Sequence, residues 1–95
     1  MRTYNAIIKL FNKGEEINYK GYQSQVIDFK VDKNTIYNDI DIEFAKNCEN
    51  SIIIDEVCVF FENGLVYKDK LTKPFELTIH MKPVFYKGNL TIKEE

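Results

Sequence analysis

Three carboxylates recur at alternate positions in Asp39-Ile40-Asp41-Ile42-Glu43-Phe44, a spacing that invites a cation site or a general acid. A calcium loop, however, gathers its ligands on a tight turn with a glycine at the bend. On an extended strand these side chains stand about 7 Å apart, with apolar residues between them. They read as the wet face of a half-buried strand, and no metal is assigned to them. His80 is the single histidine, hence the one side chain with an ordinary pKa near neutrality. It falls on the polar side of an alternating segment beside Thr78 and Lys82, with no serine or cysteine tied to it. Cys48 and Cys58 lack the paired spacing of a zinc site and, even with His80, fall short of four ligands unless carboxylates contribute. Cys58 sits in an apolar run, where a free thiol behaves as a small hydrophobe. No catalytic residue, metal or cofactor is expected, and the chain reads as a non-enzyme.

Tyr19-Lys20-Gly21-Tyr22 is a small basic and aromatic cluster of the type that stacks on single-stranded bases. Such platforms come with a basic groove, and here 13 basic side chains face 15 acidic ones for a net charge of −2. Packing or protein contact is the expected role, and nucleic acid is not an expected partner. Gly14, Gly21, Gly64 and Gly88 form neither a dinucleotide fingerprint nor a phosphate loop; each falls where a turn is expected. No apolar stretch approaches the roughly 20 residues that cross a bilayer as a helix. The first residues lack a secretory signal pattern, so synthesis in a cytoplasm is expected, with no membrane partner.

These residues hang on a chain built for strands. The 95 residues are 44% apolar, with 7 Phe and 6 Tyr, enough for one cored domain without disulfide or metal support. Tyr4–Phe11 is β-prone, although adjacent Ile7 and Ile8 spoil its alternation. Ile27, Phe29 and Val31 share one side of the next segment. Ile36, Ile40, Ile42 and Phe44 share one side of another, interrupted by Asn38. Ala45–Asn50 is a polar connection. Asn63-Gly64 marks a hairpin, and a two-residue turn there would set Phe61 opposite Val66 and Phe60 opposite Tyr67. Phe75, Leu77, Ile79 and Met81 alternate with polar residues, and Leu90–Ile92 closes the series. About six to eight short strands at this spacing predict an all-β fold, an antiparallel β-sandwich of Ig-like or jelly-roll-like type, as a single domain over 1–95.

The run from Ile52 to Phe61 is apolar on both faces. Ile53, Val57, Val59 and Phe61 are expected inside, leaving Ile52, Ile54, Cys58 and Phe60 outside. Either the chain covers that outer row, with its N-terminal segment or the 45–50 connection, or a neighbouring subunit does. Large exposed apolar patches mark interaction sites. Ile52, Ile54, Cys58 and Phe60, with Tyr22 and Tyr67 at the margin, form the candidate interface.

Taken in order, GYQSQVIDF (Gly21–Phe29), NDIDIEF (Asn38–Phe44), IIIDEVCVFFENGLVYKDKLTKP (Ile52–Pro74) and PVFYKGNLTI (Pro83–Ile92) resemble small bacteriophage virion proteins. These are tail-fibre, head-decoration or accessory capsid proteins; Ser51-Ile52 stands where members often carry Trp-Gly. The resemblance implies a β-sandwich that decorates or joins parts of a particle, located in the virion. It implies assembly with other virion proteins or copies of itself, oligomeric or arrayed by symmetry, and no catalytic residues. A small phage or mobile-element protein that binds and inhibits a host protein is the alternative.

Overall fold

The computed structural model describes residues 2–93. Nine strands succeed one another in it: β1 (Arg2–Asn12), β2 (Glu15–Glu16), β3 (Gln25–Asp32), β4 (Thr35–Asn38), β5 (Ile42–Glu43), β6 (Ile52–Phe61), β7 (Val66–Leu77), β8 (Val84–Phe85) and β9 (Thr91–Lys93). The main sheet runs β7-β6-β1-β3-β4-β9, with β2 folded back on β1; β5 and β8 form a second, two-stranded sheet. Every pairing is antiparallel. The main sheet curls until residues of its two ends, Val66 and Tyr67 from β7 and Ile92 and Lys93 from β9, border one cleft. The expected all-β antiparallel fold is present, as a nearly closed, barrel-like sheet with a smaller one beside it.

Alternation decides what the curl encloses. Ala6, Ile8 and Leu10 of β1, Phe29 and Val31 of β3, Ile36 of β4 and Val57, Val59 and Phe61 of β6 are all buried. Adjacent Ile7 and Ile8 divide between the faces: Ile8 is fully enclosed and Ile7 is on the outside. Phe29 and Phe61 meet edge to face at 5.5 Å, a favoured aromatic geometry. The second sheet closes the enclosed side through Phe44, whose ring lies parallel to that of Tyr22 at 6.1 Å and edge-on to Phe85 at 6.2 Å.

Turn chemistry sets the registers. Asn12 pairs with Glu15 across Lys13 (φ 52°) and Gly14 (φ 82°), the two left-handed positions of a tight type I′ hairpin. At Asn63-Gly64 the expected two-residue turn is overturned. Gly64 N donates to Phe61 O at 3.0 Å and Phe61 N to Leu65 O at 2.8 Å. The turn therefore holds three residues, Glu62 to Gly64. Asn63 Oδ1 accepts the Leu65 N–H at 3.0 Å, and Gly64 takes the left-handed position at φ 93° that ends such a turn in a bulge. The register moves by one: Phe60 faces Val66 and Val59 faces Tyr67.

Three other sequence expectations are corrected. A bulge between Ile54 and Glu56 changes parity within β6, because an inserted residue turns every later side chain to the opposite face. Ile54, 3% exposed, consequently joins Val57 and Val59 inside, while Ile53 is 38% exposed. The Ile36–Phe44 segment is two strands in different sheets, and Ile40 between them is exposed. The alternation through Met81 stops at Leu77, where a turn leaves Ile79 and Met81 exposed.

Two buried asparagines secure the connections. Asn38 Nδ2 donates to Ile40 O at 2.9 Å and Tyr86 O at 3.0 Å. Asn47 Nδ2 donates to Asn50 O at 2.9 Å and Leu77 O at 3.1 Å, and its Oδ1 accepts from Glu49 N at 3.0 Å. Both sit where the apolar pattern fails, because loop backbone inside a protein must find partners.

Candidate interaction surface

The residues that invited chemistry are held in ordinary surface roles. Asp39 pairs with Lys30 at 2.5 Å and with Lys87 at 3.5 Å. The hydrogen bond from Lys30 holds the Asp39 carboxyl below the usual carboxylate range and raises the Lys30 ammonium. Asp41 accepts the Lys87 N–H at 2.8 Å, and Glu43 pairs with Lys82 at 2.7 Å. His80 is exposed in a left-handed turn (φ 72°), its N–H donating to Asn47 O. Among the described residues no three His, Cys, Asp or Glu side chains gather as a metal site.

The six candidate interface residues do not form one surface. Ile54 is in the core and Ile52, on the same inner side, is half-buried. Cys58 does face outward, yet it is only 1% exposed. Its cross-strand neighbours are Lys9 and Lys68, whose aliphatic stems shield apolar surface while their charges reach water. The chain itself therefore covers Cys58, and burial, with the nearby Glu56 charge, pushes its thiol pKa up. Tyr22 is engaged internally: its hydroxyl donates to Glu16 Oε2 at 2.7 Å and accepts from Leu10 N at 3.2 Å. Tyr67 points inward against Val59 and lines the cleft between β7 and β9. Phe60 alone lies on the open outer face, half-buried beneath the Lys9 ammonium at 5.4 Å.

Phe60 has neighbours that sequence reasoning missed. It stands opposite Val66 on β7 and opposite Ile7 on β1, and Ile7 stands opposite Val26 on β3. Val26, Ile7, Phe60 and Val66 thus make one apolar row straight across four strands, with Val26 60%, Val66 49% and Ile7 37% exposed. The signal lay in the Ile7-Ile8 pair, since two adjacent isoleucines on a strand cannot both enter one core. Only Val66 joins the row through the hairpin register, which a one-residue difference at Asn63-Gly64 changes.

Charges border the row on both sides. One step along the strands lies Lys9–Cys58–Lys68; one step the other way lies Asp28–Asn5, followed by Glu62, whose N–H donates to Asn5 O. Asn5 Nδ2 also donates to Asp28 Oδ1 at 3.0 Å. The outer face is therefore an apolar strip between a basic and an acidic margin.

Two recesses are walled mainly by apolar residues. The cleft between β7 and β9 measures about 340 Å3. A smaller hollow of about 150 Å3, walled almost wholly by apolar atoms, lies where Leu10 and Ile54 face Val84 and Phe85. Neither brings polar groups together around a point where a reacting atom could sit. No family model matches the chain, and no curated protein or solved structure does so.

Proposed function

We propose that the chain is an accessory structural protein of a bacteriophage particle, a capsid-decorating or tail-associated component that works through protein–protein contacts and not through catalysis. The observation that carries the contact is the outward row Val26–Ile7–Phe60–Val66 inside charged margins. Apolar anchors within a polar rim supply most of the energy of ordinary interfaces. The particle context rests on the resemblance of Gly21–Phe29, Asn38–Phe44, Ile52–Pro74 and Pro83–Ile92 to small virion proteins. Phe60, expected at the contact from the sequence, lies in this row, and its companions there are Ile7, Val26 and Val66.

Quantitative mass spectrometry of purified particles from the phage that encodes this chain tests the reading. Many copies per particle, in fixed ratio to the major structural proteins, are expected. Absence from the particles overturns it and leaves the row to the alternative, binding and inhibiting a host protein.

A further inference from the structure

We infer that the outer face of β3, β1, β6 and β7 pairs with the same face of a second copy, around a two-fold axis lying along the row Val26–Ile7–Phe60–Val66. The inference concerns contact between copies of this chain and stands independently of any phage particle.

The face is self-complementary about that one line. The apolar row crosses four strands, about 14 Å, and its margins lie about 7 Å to either side. The basic margin carries Lys9 and Lys68, the acidic margin Asp28 and Glu62. A two-fold axis along the row lays Phe60 and Ile7 of one copy on the same row of the other. The same rotation turns the basic margin of each copy onto the acidic margin of its neighbour. An axis along the strands would set lysine on lysine and carboxylate on carboxylate. A symmetric dimer needs a patch that complements itself, and charge registry selects this orientation over the perpendicular one. Lys9 already lies over the Phe60 ring and has only a long 3.9 Å contact with Glu16, so it is free to swing to a carboxylate across the contact.

The patch is smaller than the roughly 800 Å2 per partner of a standard interface. Association is therefore weak, with dissociation constants between about 10 μM and 1 mM. Added salt weakens it, since the margins are exposed.

Sedimentation equilibrium over that concentration range, with circular dichroism melting to verify folding of each variant, reads the outcome. The wild-type chain is expected to pass from monomer to dimer, and Phe60→Glu to weaken this at least about tenfold. The double variants Lys9→Glu/Lys68→Glu and Asp28→Lys/Glu62→Lys are each expected to dimerise less tightly than wild type. Mixed in equal amounts they are expected to form a heterodimer of about wild-type affinity, because each reversed margin then meets its opposite. A wild-type chain monomeric up to 1 mM overturns the inference and assigns the row to a different protein. A dimer indifferent to Phe60→Glu overturns it too, as does a mixture of the two double variants that fails to pair.

Discussion

Asn38 and Leu90 clasp each other with two hydrogen bonds, Leu90 N to Asn38 Oδ1 at 2.9 Å and Asn38 N to Leu90 O at 3.3 Å. The side chain thereby binds the end of β4 to the approach to β9, 52 residues later. It is completely buried, so water cannot replace it.

Asn38→Ala strands the Leu90 N–H and deprives the Ile40 and Tyr86 carbonyls of their donor. Leaving buried polar groups unpaired costs about 1–3 kcal/mol each, more than a net hydrogen bond contributes. A loss of about 2–4 kcal/mol in urea unfolding is expected. Asn5→Ala, which removes an exposed bond to Asp28, should change stability by less than about 0.5 kcal/mol.

Ile54 and Phe60 are six residues apart on one strand and face opposite ways. Ile54→Ala is expected to cost about 2–5 kcal/mol through the cavity it opens, and Ile54→Glu to unfold the domain. Phe60→Glu should leave the melting transition close to that of the parent. Thermal unfolding followed by circular dichroism separates the two; equal loss at both positions would contradict the β6 bulge.

Cys48 is exposed and Cys58 is buried, both as free thiols. Titration with a chromogenic disulfide reagent at neutral pH should therefore modify one thiol quickly. The second should react only as fast as the protein opens, because burial both shields Cys58 and raises its thiol pKa above the ordinary value.

Tyr19 and Tyr22 have phenol pKa values raised above 10.0, chiefly by burial. A folded-state value above the unfolded one favours the protonated form in the native protein. The stabilisation is therefore complete below pH 10 and is lost as pH climbs from there through the raised values. Phenolate absorbance from these two rings should appear only together with loss of native circular dichroism. Tyr22→Phe should remove one late phenol.

Asp39 moves in the opposite direction, its pKa held below 3.8 first by the Lys30 hydrogen bond. Its contribution is present above the ordinary carboxylate value and lost as pH falls through the depressed one. Carboxyl shifts followed by NMR should return toward the usual midpoint in Lys30→Met. Neutral-pH stability should scarcely change, since the pair lies at the surface, only partly buried.

Much of this was legible in the chain. Gly14 and Gly64 announced turns because left-handed backbone is easiest without a side chain, and Phe29 and Val31 announced an inner face by alternation. What alternation cannot carry is parity across an irregularity. The bulge after Ile54 exchanges inside and outside without altering composition, so Ile54 looked like an outer residue. Asn38 looked like a flaw in an apolar face, yet its polarity is what the buried connections require. Phe60 was legible as an outer residue, but Val66 becomes its neighbour through a three-residue turn, and Ile7 and Val26 through the pairing of β1 with β6 and β3. A surface made by register is invisible to any reading that treats strands one at a time.

The place of β1 at the middle of the main sheet also governs the order of events in folding. Its β3 edge can be covered as soon as a nearby hairpin closes, but its β6 edge must wait for residues 52–61. Closing so long a loop is slow, and a bare strand edge is a template for wrong pairing in the interval. A chain released before Ile52 would present Ile7, Ile8 and Leu10 on an open edge. Such a fragment is expected to aggregate rather than persist as a half-folded monomer.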